Sequence, residues 1–190
     1  LTILCLLVGL ALVACSGGGG EPPLKGAAIG GPFTLTDQDG RPATDRDYAG
    51  RYRIMYFGFT HCPDVCPTDL AVLGQALRRF EKSDPARAAR VTPIFVSVDP
   101  ERDTPAVLKD YVAAFHPRLV GLTGTPKQIA AMTRRYGAYS QKEPAGPGGG
   151  YNVNHSRLAE LIGPEGEPIA LLPYDKGADA VAAELDRWVR

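Results

Sequence analysis

The chain has 190 residues, 44% of them apolar, which suits one domain of ordinary size plus a tail or anchor. Its 21 basic side chains are balanced by 21 acidic ones, giving a formal net charge of zero. A neutral chain without a basic stripe argues against a nucleic-acid partner.

Residues 1–15 form an uncharged apolar run ending Leu12-Val13-Ala14-Cys15. At about 1.5 Å rise per residue this run is too short to span a bilayer core of about 30 Å. It reads as the apolar part of a lipoprotein-type signal peptide, with Cys15 as the residue that would carry lipid. The basic segment expected before such a run is absent and the chain opens on Leu1, so a start further upstream is expected. The folded part is therefore expected to be lipid-anchored to a bacterial membrane and to face the periplasm. Residues 16–31 are rich in Gly and Pro and read as a flexible tether. Residues 32–190 are left for the domain.

Within it, Phe33-Thr34-Leu35-Thr36 alternates as a short strand, and Asp37-Gln38-Asp39-Gly40 supplies a turn. Ile54 to Phe59 is a continuous apolar run of the length of a fully buried strand. Leu70, Leu73, Leu77 and Phe80 then recur at helical spacing, predicting an amphipathic helix from about Pro67 to Lys82. Val91 to Val98 reads as a second buried strand. Thr104-Pro105 opens a helix to Phe115, with Thr104 as N-cap. A short strand over residues 119–122 follows, and Thr125-Pro126 begins a helix stopped by Gly137. After a Gly-Pro loop over 145–150, a strand is predicted over His155 to Ile162, with residues 168–172 as its hairpin partner and a last helix from Ala178. Buried strands alternating with helices imply an α/β domain with a mostly parallel centre. This order of elements is the thioredoxin-like topology: a central mixed sheet flanked by helices, with an N-terminal β extension.

Between the first buried strand and its helix lies Thr60-His61-Cys62-Pro63-Asp64-Val65-Cys66-Pro67. Once Cys5 is lost with a signal peptide and Cys15 is lipidated, Cys62 and Cys66 are the thiols left in the domain. In an oxidising compartment such a pair is a disulfide, a redox couple or a metal site. The start of a helix favours thiolate, and positions i and i+4 share one helix face. As a structural staple the pair would be weak, because it closes a very short loop. Two thiolates with an imidazole make a soft donor set, which selects Cu(I) and tolerates Zn(II). Three histidines are available: His61, His116 and His155. His61 reads as packing beside the loop, and His116 as a cationic cap at a helix end. His155 alone reads as an ordinary surface residue, but in a thioredoxin topology the start of its strand faces the dithiol.

Tyr56-Phe57-Gly58-Phe59-Thr60-His61-Cys62-Pro63-Asp64-Val65-Cys66-Pro67 resembles the signature of the Sco/SenC proteins. Phe95-Val96-Ser97-Val98-Asp99-Pro100-Glu101-Arg102-Asp103-Thr104-Pro105, Leu122-Thr123-Gly124 and Val153-Asn154-His155-Ser156 resemble it too, so the likeness covers roughly residues 31–190. The resemblance implies a copper metallochaperone binding one ion per chain, Cu(I) or Cu(II), through Cys62, Cys66 and His155. It implies delivery of copper to, or reduction of the cysteines of, the binuclear copper centre in cytochrome c oxidase subunit II. The implied partners are that subunit and another periplasmic copper chaperone or thiol reductase, with the chain a monomer. The alternative is a periplasmic thiol–disulfide oxidoreductase using Cys62 and Cys66 as a redox-active dithiol, without obligatory copper transfer. Asp99 and Asp103 match the family's acidic loop and read as turn and helix-capping residues. Two departures stand out: Asn154 replaces the Asp common before the histidine, and Arg157 and Glu160 interrupt a strand that is usually more apolar.

Overall fold

The computed structural model describes residues 20–146 and 149–190. The expected signal peptide, with Cys5 and Cys15, lies outside the described residues. Among those described, no helix is long and apolar enough to cross a membrane.

The apolar runs become the middle of one sheet. β3 (Tyr52–Gly58) and β4 (Val91–Ser97) pair in parallel, and β5 (Val120–Thr123) continues in parallel beyond β4. All seven residues of β3 are buried, as befits a strand covered on both faces. Antiparallel strands extend both edges. β1 (Thr34–Asp37) joins β5 and carries β2 (Pro42–Thr44), while β8 (Ala159–Ile162) joins β3 and carries β9 (Pro168–Leu171). The order is β2-β1-β5-β4-β3-β8-β9, a mixed sheet with the β1–β2 hairpin as its N-terminal extension.

Among the described residues five α-helices accompany it: α1 (Val65–Ser83), α2 (Pro85–Ala88), α3 (Pro105–Ala113), α4 (Pro126–Arg135) and α5 (Ala178–Trp188). The helical spacing of Leu70, Leu73 and Leu77 lays one stripe of α1 against Ile54 and Tyr56. Tyr111 of α3 packs on Phe95 over the same face, with ring centroids 5.3 Å apart. Phe57 points the other way, as alternation along a strand requires, and meets Tyr136 beyond the end of α4 at 5.9 Å. Thr104 and Thr125 cap α3 and α4 as expected, and Gly137 takes the left-handed conformation (φ +64°) that stops α4.

Three expectations change. First, the strand expected over His155 to Ile162 is two strands. β7 (Val153–His155) pairs with β6 (Ser140–Lys142) in a separate ribbon, and β8 enters the main sheet after the link 156–158. The break falls at Ser156 and Arg157, whose side chains turn to Tyr139 and to Asp69 of α1. Second, the Gly- and Pro-rich stretch read as a tether lies against the domain from Leu24 on. The Leu24 N–H donates to the Ile169 carbonyl at 3.0 Å, and the Gly30 N–H to the Arg135 carbonyl at 3.1 Å. Its composition reports a lack of helix or strand periodicity, not a lack of contact. Third, α1 begins at Val65 rather than Pro67, and Pro67 still falls within the first turn, where a missing N–H costs nothing.

Candidate metal centre

Both cysteines are placed by the passage from β3 into α1. Gly58 ends the strand beneath the first turn of the helix, and Cys66 drops its sulfur onto it. A Cβ at position 58 would lie 2.7 Å from Cys66 Sγ and 3.0 Å from the Tyr56 and Phe95 rings, so only glycine leaves this socket open. Cys66 is fully buried, while Cys62, 9% exposed, sits at the mouth. Asp64, the residue before the helix, makes no side-chain cap. Instead Cys62 Sγ accepts the Cys66 N–H at 3.4 Å, which ties the outer sulfur to the helix start. The two thiols are free, not joined to each other.

His155 arrives from the last residue of β7, 89 positions along the chain, with Nε2 3.4 Å from Cys66 Sγ. Its Nδ1 lies 3.0 Å from the Ser156 carbonyl. A carbonyl only accepts, so Nδ1 carries the proton and the Nε2 lone pair faces the sulfur. Burial holds the imidazole pKa below its usual value, which keeps the ring in the neutral form that binds metals. The ring also meets Phe59 edge-on at 5.6 Å. One donor atom from each of Cys62, Cys66 and His155 lies within 4.8 Å of the others. Donors to a single ion sit about 2.0–2.3 Å from it, so this triangle closes around one ion with small side-chain movements.

Burial pushes the Cys66 thiol up to about 12, against the opposing effect of the Phe59 N–H, and the neighbouring Cys62 thiol adds to the rise. Without metal, Cys66 therefore keeps its proton at neutral pH, shared toward His155 Nε2. An ion held by this triangle would take the place of that proton, and its binding would release acid. Beside the site runs a groove of about 370 Å³ lined by Phe59, Cys62, Pro63, Asn154 and His155 among others. It reaches the outer sulfur and the imidazole but not Cys66.

The remaining sequence candidates fall outside the triangle. His61 is half exposed beside Thr60 and Asp103. His116 is not a cationic cap: it is 2% exposed, burial lowers its pKa, and its Nδ1 accepts the Arg118 N–H at 3.2 Å. Asp103 does not cap a helix either, since Thr104 has that place. Fully buried, Asp103 accepts from the Thr60 hydroxyl (2.6 Å), the Thr60 N–H (3.1 Å) and the Ser97 hydroxyl (2.6 Å), fixing the segment that leads into Cys62. Asp99 accepts from Tyr151 Oη at 2.7 Å and from Arg102 Nε, so the acidic loop grips the approach to β7. Sequence reasoning passed over Tyr151 and Asp69. A Tyr directly after the glycine run and an Asp one helical turn beyond Cys66 were the available signals.

The SCO1/SenC family model matches residues 21–190. The human mitochondrial protein SCO1 homolog is 40% identical over 162 residues, which is 85% of this chain and 53% of that protein. The chain thus spans about half the length of the curated relatives it matches. Among solved structures, Bradyrhizobium japonicum ScoI with copper bound is 42% identical, with a TM-score of 0.76 over 84% of this chain and 99% of that one. The thioredoxin domain of a thiol–disulfide oxidoreductase from Bacteroides vulgatus superposes with a TM-score of 0.58 over 85% of this chain and 96% of that one. At 16% identity that likeness is one of fold, and it makes the domain thioredoxin-like.

Proposed function

The chain belongs to the SCO1/SenC family, and from that membership we propose that it is a copper metallochaperone binding one copper ion per chain through Cys62, Cys66 and His155. The observation that carries this reading is the approach of two sulfurs and one imidazole nitrogen to within 4.8 Å of one another. Thiolate and neutral imidazole suit copper better than the carboxylate sites of harder ions. The likeness to a ScoI with copper bound supports the choice of cargo.

The client is the binuclear copper centre of cytochrome c oxidase subunit II, which receives copper or has its cysteines reduced. The groove supports transfer by ligand exchange. An incoming thiolate reaches the ion past Cys62 and His155, and buried Cys66 is the last donor released. Another periplasmic copper chaperone or thiol reductase supplies copper or electrons. The chain acts as a monomer, lipidated at Cys15, with its domain facing the periplasm of a bacterial membrane.

A second reading, thiol–disulfide exchange without obligatory copper transfer, is favoured by the unequal exposure of the two thiols. Cys62 is placed to attack a partner disulfide and Cys66 to resolve the mixed disulfide. Anaerobic copper titration of the reduced protein, with bound metal and free thiols counted together, separates the two. One equivalent of copper protecting both thiols is the expected result. No copper bound, with the thiols cycling freely to a disulfide, would transfer the function to reduction.

A further inference from the structure

In the sequence Arg157 reads as a disturbance, a cation at the start of an otherwise apolar strand. In the fold it lies in the link 156–158 between β7 and β8 and reaches back to α1. Its Nη2 donates to Asp69 Oδ1 at 2.6 Å and its Nε to Asp69 Oδ2 at 3.1 Å, a two-pronged grip. Asp69 stands three residues after Cys66, within one turn of the same helix, and is 2% exposed. The Tyr56 hydroxyl, from the central strand, donates to Asp69 Oδ2 at 2.8 Å. The carboxylate is thus fixed to the helix that carries Cys66 and to the strand beneath it. Both of its oxygens are engaged, so it is not itself offered to a metal.

On the other side, the Arg157 carbonyl accepts from the Tyr174 hydroxyl, and the guanidinium lies over the Tyr174 ring at 5.4 Å. The link that follows His155 is therefore held through both its main chain and its side chain. β7 needs such help: it has three residues and, among the described residues, pairs only with the equally short β6. An exposed ion pair would do little here. The Arg157 side chain is 45% exposed, but the Asp69 carboxylate is buried and the two-pronged contact with it is directional.

We propose that Asp69 and Arg157 form a brace that presets the metal site. The pair locks the link 156–158 to the cysteine helix, so that His155 Nε2 waits beside Cys66 Sγ before any ion arrives. Arg157 is a positioning residue that acts through His155, and the proposal rests on the reading of His155 as a copper ligand.

The test is a double-mutant cycle on the reduced chain, measuring Cu(I) affinity by anaerobic competition with a chromogenic chelator. Outer partners of metal ligands are worth about 10–100-fold in affinity. Arg157→Ala is expected to fall in that range, with partial recovery in Arg157→Lys, which keeps the charge but not the fork. In a His155→Ala background, Arg157→Ala should change affinity by less than about twofold, because its only route to the ion is gone. Losses that add instead would make Arg157 a general structural residue and overturn the brace. An unchanged affinity in Arg157→Ala beside a weakened His155→Ala would overturn it too, leaving the ligand assignment standing. An unchanged affinity in His155→Ala would remove that assignment, and the brace with it. Should Arg157→Ala not fold, Asp69→Asn/Arg157→Gln leaves no buried charge alone and carries the same cycle. A metal-free readout completes the test. NMR contacts between the His155 ring and the Cys66 side chain should be present in the parent and lost in the variant. Their persistence would overturn the proposal.

Discussion

The two sides of the donor triangle are built by different physics. Cys62 and Cys66 lie four residues apart on one strand-to-helix passage, and packing holds them: the Gly58 socket, the Tyr56 and Phe95 rings, and the apolar stripe of α1. His155 lies on a two-stranded ribbon outside the main sheet. Besides buried Val153 and the edge contact of His155 with Phe59, polar contacts hold that ribbon: Asp99 with Tyr151 and Arg102 on one flank, and Asp69 with Arg157 on the other. Packed contacts tolerate little displacement, whereas a few hydrogen bonds can open and reclose. If the chain carries copper as proposed, two of the donors are held by packing and the third by hydrogen bonds.

The strongest way to break the comparison is to remove a donor from the packed side. Cys66→Ser replaces the soft, buried sulfur with a hard oxygen. Copper affinity should fall well beyond the roughly 100-fold that an outer partner can cost. His155→Ala should lose less, since the dithiol remains. Chelator competition on the two variants ranks them, and the reverse order would place the anchoring donor on the ribbon instead.

A buried carboxyl within the packed sheet gives the next largest effect. Glu160 of β8 is fully buried with neither carboxylate oxygen hydrogen-bonded, and burial pushes its carboxyl from the ordinary 4.5 up to about 8. Arg53 lies on the same side of the sheet, and Tyr136 faces both groups. Between those two pH values the folded chain keeps a proton that the unfolded chain has released. The stabilisation is whole below about pH 4.5 and is lost as pH rises through about 8, at about 1.4 kcal/mol per pH unit. Urea unfolding between pH 5 and 8 should show this slope in the parent and lose it in Glu160→Gln. An unchanged slope in the variant would assign the pH dependence elsewhere.

The same division decides what could be read from the sequence. The cysteine side was legible because its signals are local: a buried run the length of a strand, leucines at helical spacing, and the CxxxC between them. On the histidine side His155 itself was read from the topology and the resemblance, but its ribbon was not, because β6 and β7 have three residues each, too short for alternation to register. The glycine run before Tyr151 marks a loop but not what pins it. Arg157 and Glu160 were noticed as irregularities, yet their partners, Asp69 on α1 and the sheet interior, are set by tertiary structure alone. His116 was misread for a related reason, since its place after a helix says nothing of burial.

Gly58→Ala probes the packed side more gently. Its Cβ would stand 2.7 Å from Cys66 Sγ, so the sulfur, the Tyr56 ring or the Phe95 ring must shift. Overpacking of this kind costs about 1–3 kcal/mol. Urea unfolding should register that loss, and copper binding should weaken with it. Full stability and affinity would mean that the socket is looser than its contacts imply.

The smallest effect is the most selective. Tyr151→Phe removes the hydroxyl that donates to Asp99 Oδ1 at 2.7 Å but keeps the ring, over which Arg102 sits at 3.7 Å and Lys142 at 3.9 Å. One such hydrogen bond is worth about 0.5–1.5 kcal/mol, so opening of the ribbon should become up to about tenfold more frequent. Amide exchange reads this directly. The Glu143 N–H, bonded to the Asn152 carbonyl, and the Ser156 N–H, bonded to the Tyr139 carbonyl, should both exchange faster. The Val98 N–H, bonded to the Gly58 carbonyl beneath the cysteines, should not change. Equal acceleration at all three would mean that the ribbon opens only when the whole domain does. His155 would then be as fixed as the sulfurs, and release of the ion would depend on the incoming ligand alone.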